Sequence, residues 1–142
     1  AVQGANMIFG SAGDGRIGLV AADDVGRAVA VVLTDRDDDG AEYVLTGPAA
    51  PTLTEVADAF TAALGRTITY QDMPDAEFRA FMVKQVGVPA DRVDDAVMVH
   101  FRAWRRGDAD IVTDTYRELT GEPATSVAEW IAAHREAFVA AP

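Results

Sequence analysis

The sequence predicts one α/β domain, a small sheet of three or four short strands flanked by about five helices. Three observations predict it. Thr52-Leu53-Thr54-Glu55 and Ser126-Val127-Ala128-Glu129 are capping boxes, each leading into a stripe of apolar residues at helical spacing. Short β-branched or apolar runs at 17–20, 42–46 and 67–70 read as strands. Gly65, Gly87, Gly107 and Gly121 follow helical stripes, where a glycine ends a helix most readily.

The elements follow in order. Met7-Ile8-Phe9 and Ile17-Gly18-Leu19-Val20 flank Ser11-Ala12-Gly13-Asp14-Gly15, whose closely spaced glycines suit a hairpin turn or a loop followed by a strand. Asp23 or Asp24 caps a helix bearing Val25, Val29, Val32 and Leu33. Asp35 to Gly40, with Asp37-Asp38-Asp39, is a solvated acidic turn. Glu42 to Thr46 is a strand closed by Gly47-Pro48. Behind the Thr52 cap, Leu53, Val56, Phe60, Ala63 and Leu64 form one helical face. Thr67 to Tyr70 is a short strand. Asp75 caps a helix carrying Phe78, Phe81, Met82 and Val86. A further helix carries Val93, Val97, His100, Phe101 and Trp104. Ile111-Val112-Thr113 is extended. Asp114 opens a short helix through Leu119, and Ser126 opens a last one through Phe138.

Composition narrows the function. At 142 residues and 49% hydrophobic, residues 1–142 form one domain with a proper core. The formal charge of -11 opposes a phosphate backbone and an anionic lipid surface, so neither nucleic acid nor membrane is an expected partner. The absence of cysteine excludes a disulfide scaffold, a thiol nucleophile and a Cys-ligated zinc site. No apolar run reaches membrane-spanning length, and a cytoplasmic protein is the expectation.

Gly13-Asp14-Gly15-Arg16-Ile17-Gly18 matches G-x-G-x-x-G, the pattern of a dinucleotide cradle. In such a cradle the helix begins inside the motif, so that its amino terminus meets the pyrophosphate. Here the motif leads into extended Leu19-Val20, and Asp14, Asp23 and Asp24 would repel phosphate. The turn reading is preferred, and no cofactor-binding residue is assigned.

Phe78, Phe81, Met82, Met98, Phe101 and Trp104 lie on two consecutive helices and would wall an apolar ligand cavity; ordinary core or a dimer seam is the competing reading. Tyr70, ending a strand beside them, is the best placed tyrosine to offer a hydroxyl to a substrate oxygen. His100, among Met98, Phe101 and Trp104, is the candidate proton-transfer residue, against a satisfied surface histidine. His134 reads as solvated surface, and two isolated histidines make no metal site. Arg102, Arg105 and Arg106 read as partners for the acidic majority, with ligand carboxylate capture as the lesser alternative.

The order of these pieces resembles the carboxy-terminal, substrate-binding portion of the NmrA-like atypical short-chain dehydrogenase-reductases. Gly13 to Val25 looks like the family's strand entering a helix after a Gly-rich loop, and Ala41 to Pro48 like its next strand. Thr52 to Glu55 with Leu64-Gly65-Arg66, then Tyr70 to Pro74 and Glu77-Phe78, resemble the steps that follow. Thr113-Asp114, Leu119 to Pro123 and Glu129-Trp130 resemble its tail. The resemblance implies NAD(P) as the cofactor of the full-length family and a small apolar or aromatic substrate. It also implies a nucleotide-binding half upstream, which residues 1–142 do not contain, so that this chain alone holds no cofactor. Without that half, the apolar faces of Val29, Leu33, Val44 and Phe60 need another cover, and a homodimer is expected. Two alternatives stay open: a stand-alone acid–base enzyme of a natural-product pathway (cyclase, isomerase or dehydratase) using His100 or a pocket carboxylate, and a non-catalytic ligand-binding or regulatory module.

Overall fold

A computed structural model describes residues 6–35 and 40–139. It is α/β, as the sequence predicts, with two strands among the described residues. Strand β1 (Met7–Gly10) pairs in parallel with β2 (Thr69–Asp72), Met7 opposite Thr69 and Gly10 opposite Asp72. A parallel pair needs a long crossover. Here the crossover contains helices α1 (Ala22–Asp35) and α2 (Leu53–Leu64).

The expected hairpin does not form. Gly15 N–H closes a turn onto the Ala12 carbonyl at 3.0 Å, but the chain beyond it leaves β1. Ile17 donates to Pro51 O at 3.1 Å, Gly18 to Ala109 O at 3.0 Å, and Arg16 bridges Thr52. The segments 42–46 and 111–113 are not strands either. They are joined by threonine side chains: Thr113 N–H donates to Thr46 Oγ1 at 2.9 Å, and Thr113 Oγ1 donates to Val44 O at 2.7 Å. Those hydroxyls take the place of a backbone ladder. The strand expected at 67–70 sits two residues later, at Thr69–Asp72.

Both capping boxes form. Thr52 and Glu55 satisfy each other's amides at the start of α2, and Gly65 ends it at φ 68°. Ser126 and Glu129 do the same for α6 (Val127–Ala133), which breaks at His134 before a 3₁₀ turn, Arg135–Phe138. Helix α3 (Asp75–Phe81) passes into a π-helical turn, Met82–Val86, and α4 (Val99–Arg106) is preceded by another, Asp94–Met98. Helix α5 spans Thr115–Thr120. Asp114 opens α5, as expected, without a side-chain cap bond. Two expected caps are absent. Asp75 is the first residue of α3 and bonds elsewhere. Helix α1 begins at Ala22, and Asp24 is wholly buried, accepting from Thr125 N–H at 2.7 Å and Thr125 Oγ1 at 3.0 Å. Burial pushes the Asp24 carboxyl upward, but the Thr125 donors and the Arg27 guanidinium outweigh it and hold it below its ordinary value.

The core has three centres. One joins Val56, Ala57, Phe60 and Ile131 with Ile68. Another joins Ala28, Tyr116 and Leu119. The last joins Phe78, Val93 and Met98. Phe60, expected on an uncovered face, is buried: α6 packs across α2, and the Phe138 ring meets it edge-on at 4.9 Å. Val29, Leu33 and Val44 are exposed, Leu33 by 78%. The acidic run Asp37-Asp38-Asp39 lies outside the described residues. No described helix is long and apolar enough to cross a membrane.

Candidate functional site

The carboxyl ends of β1 and β2 lie side by side, and the turn after β1 is built around them. In open parallel sheets this is the end where ligands gather. Gly10 closes β1 because nothing larger fits: a Cβ there would lie 2.8 Å from the Phe101 ring and 3.1 Å from Tyr70. The turn that follows is held by side chains from β2, α3 and α4. Tyr70 Oη accepts from Ala12 N–H at 2.9 Å and donates to Asp72 Oδ1 at 2.8 Å. Asp72 also accepts from Gly13 N–H at 2.8 Å. Arg105 donates to both Asp72 oxygens, at 2.8 and 2.9 Å, and to Ser11 O at 3.0 Å. Buried Ser11 donates through Oγ to Asp75 at 3.0 Å. Asp75 pairs with Arg102 at 2.6 Å, Arg102 with Asp94 at 3.2 Å, and Asp94 with Arg79 at 2.8 Å.

These contacts set the local protonation. Burial and the Asp72 carboxylate push the Tyr70 hydroxyl up to about 12, against a smaller opposing pull from the Ala12 N–H. At Asp72 burial acts upward, but the Gly13 N–H, Arg105 and Tyr70 donors win and hold the carboxyl low. Arg102 holds Asp75 low, and Arg79 does the same for Asp94. All three arginines of the basic cluster are paired, Arg106 with Asp108 at 2.6 Å. Their role is the acidic pairing that the sequence favours.

An aromatic series runs alongside. Phe9 meets Phe81 at 5.0 Å, Phe81 stacks with Phe78 at 6.3 Å, Phe78 meets Phe101 at 4.6 Å, and Phe101 meets Trp104 at 4.5 Å. Between β1 and the α3 segment lies a cavity of about 450 Å³. Phe78, Phe81 and Met82 line it, as do Met7, Phe9 and Gln85. The volume suits a small organic molecule. The other sequence candidates stand apart from this lining. Met98 is fully buried in the core beside Phe78. Phe101 and Trp104 extend the ring series towards Gly10 and the turn. Tyr70 spends its hydroxyl on Ala12 and Asp72. His100 is exposed on α4, its ring 6.4 Å from Trp104. Met7, Phe9 and Gln85 escape sequence reasoning because strand pairing across sixty residues of chain, not local pattern, puts β1 beside this wall.

The glycine motif does not fit a pyrophosphate. A Cβ on Gly15 would lie 2.1 Å from Trp104 O, and one on Gly18 2.3 Å from Ile111 O. Those glycines allow backbone to pass backbone within the chain. The next helix starts at Ala22, beyond the motif, with Asp23 and Asp24 in its first turn. Among the described residues no three His, Asp or Glu side chains gather as a metal-binding set.

No family model matches the chain. It is 34% identical over 123 residues to quinone oxidoreductase 2 of Escherichia coli K12, covering 87% of this chain and 42% of that protein. The solved NADPH complex of the E. coli quinone oxidoreductase superposes with a TM-score of 0.81 at 30% identity, over 93% of this chain and 46% of the other. The Citrobacter triphenylmethane reductase bound to NADP(H) superposes with a TM-score of 0.78 at 25% identity, over 94% of this chain and 46% of the other. The chain thus spans less than half the length of these relatives, and the matched part is their carboxy-terminal portion.

Proposed function

We propose that this chain, which belongs to the NmrA-like atypical short-chain dehydrogenase-reductases and corresponds to their carboxy-terminal portion, forms the substrate-binding part of an NAD(P)-dependent oxidoreductase acting on a small apolar or aromatic molecule. The observation that carries this reading is the cavity walled by Phe9, Phe78, Phe81 and Met82. Flat aromatic faces bind a planar conjugated acceptor by stacking and exclude water from it. Met82 gives a soft, adaptable edge. The named activity of the E. coli relative makes a small quinone the acceptor to try first.

In this proposal the chain orients the acceptor and keeps it dry, and the dinucleotide is gripped by residues other than Gly13 to Gly18. Arg105 fixes the ends of β1 and β2 to α4 through Ser11 and Asp72, and the Arg102–Asp75 pair fixes the start of α3 to α4, so the aromatic wall is rigid before a ligand arrives. A homodimer packed on exposed Val29, Leu33 and Val44 belongs to the same proposal, and a monomeric mass by light scattering removes it. The acid–base alternative finds less support, because His100 is exposed and outside the cavity lining.

The four methionines supply the test. With methyl-labelled methionine, menadione should move the Met7 and Met82 signals saturably and leave the core Met98 signal in place. Phe81→Ala should weaken that binding roughly tenfold. Saturable shifts at Met98 or Met73 alone, or none at all, would remove the proposal.

A further inference from the structure

A second cavity lies between α2, α6, residues 19–21 and the start of α1. Its volume is about 280 Å³. Val56 and Phe60 of α2 form one wall, Trp130 and Ile131 of α6 another, and Leu19 closes a side. Its polar rim is Thr125 and Ser126. The hydrogen bonds of that rim are already made. Thr125 gives both its N–H and its hydroxyl to Asp24. Ser126 gives its N–H and hydroxyl to Glu129, at 2.8 and 2.7 Å. The cavity therefore offers contact surface and two aromatic side chains, with its nearest hydroxyls committed elsewhere.

We infer that this cavity is a binding site for a neutral, bicyclic aromatic molecule of indole or naphthalene size, separate from the Phe78–Met82 cavity. A dry apolar cavity of about 150 Å³ holds one benzene ring, and this open one, of about 280 Å³, has room for two fused rings. Chemistry sets the charge. Glu129 lies at the rim through Ser126, and buried Asp24 behind Thr125 is offset by Arg27, so an anion entering here meets net negative charge. A cation is drawn by that charge but would give up its water for apolar walls whose polar groups are already bonded, and that cost is the larger one. Phe60 and Trp130 supply the aromatic surfaces against which a flat neutral ring packs. The site does not depend on the proposed oxidoreductase role, because it shares no lining residue with the other cavity.

The test uses the whole chain, labelled at its isoleucine, leucine, valine and methionine methyl groups, and titrated with indole. The inference expects saturable shifts of Val56, Ile131 and Leu19, whether or not Met7 and Met82 also move. It expects indole-3-carboxylate to bind at least roughly tenfold more weakly. Val56→Phe, which fills the cavity from within, and Ala22→Phe, which fills it from the rim, should each weaken indole binding by a similar factor. An unchanged Met98 signal establishes that a variant is folded. Shifts confined to Met7 and Met82, equal binding of the carboxylate, or no saturable shift up to the solubility of indole would each overturn the inference, and only the first of these touches the other cavity.

Discussion

Arg105 and Asp72 meet in a two-point ion pair, one guanidinium nitrogen lying 2.8 Å and 2.9 Å from the two carboxylate oxygens. The pair ties the last turn of α4 to the end of β2, and through Gly13 N–H and Ser11 O it also ties both to the turn after β1. Replacing Asp72 with asparagine removes the charge and part of this bonding. Both partners are about two-fifths exposed, so water weakens the pair. A loss of about 1 kcal/mol is expected, which lowers the melting temperature by about 2–4 °C in a domain of this size. Amide exchange at Gly13 should quicken in the same variant.

Acid acts through the same carboxylates. Asp72, Asp75 and Asp94 are all held below the ordinary value of 3.8 in the folded chain. Depressed carboxylates stabilise the fold above their unfolded value and lose that effect as pH falls through the folded one. Urea midpoints should therefore be level between about pH 5 and 7 and drop below about pH 4. In Asp72→Asn the acid drop should be shallower.

Tyr70 gives the alkaline counterpart. Its hydroxyl ionises only at about 12, against an ordinary 10.0. A raised native value stabilises the fold below the unfolded value and ceases to do so as pH climbs through the native one. Ultraviolet titration should show one tyrosine ionising late. Tyr70→Phe should remove that late step and leave Ala12 N–H without its acceptor.

The glycines separate by what surrounds them. Gly15→Ala and Gly18→Ala press a methyl group onto the carbonyl oxygens of Trp104 and Ile111, and each should cost about 2 kcal/mol or more. Gly26, inside α1, has nothing within 4 Å of an added Cβ. Gly26→Ala should stabilise the chain by about 0.5–1 kcal/mol. Chemical denaturation of the three variants tests this pattern.

Local chemistry was legible in the sequence. Both capping boxes, the glycine stops at Gly65, Gly87, Gly107 and Gly121, and the apolar face of α2 all stand where their residues imply. Pairing across the chain was not. Nothing near Met7 announces Thr69 as its partner, and the local glycines point instead to a turn between adjacent segments. Thr46 and Thr113 have the β propensity of strand residues, yet their hydroxyls bond backbone directly and no ladder forms. The aromatic positions on α3 and α4 were visible, but their division was not. Phe81 and Met82 line the cavity, whereas Met98 fills the core, a division that only the packing of the two segments decides. Asp24 reads as a cap and instead fastens α1 to the approach of α6.

The most direct test follows the amide signals of Gly13, Gly15 and Gly18 while NADPH is added to the chain. If Gly13 serves only to take the positive φ of the turn, and Gly15 and Gly18 only to let backbone pass Trp104 and Ile111, their signals stay in place at every NADPH concentration. Saturable movement of all three, abolished by Gly15→Ala in a chain that still folds, would mean that the turn grips a pyrophosphate and that the division of labour argued above is wrong.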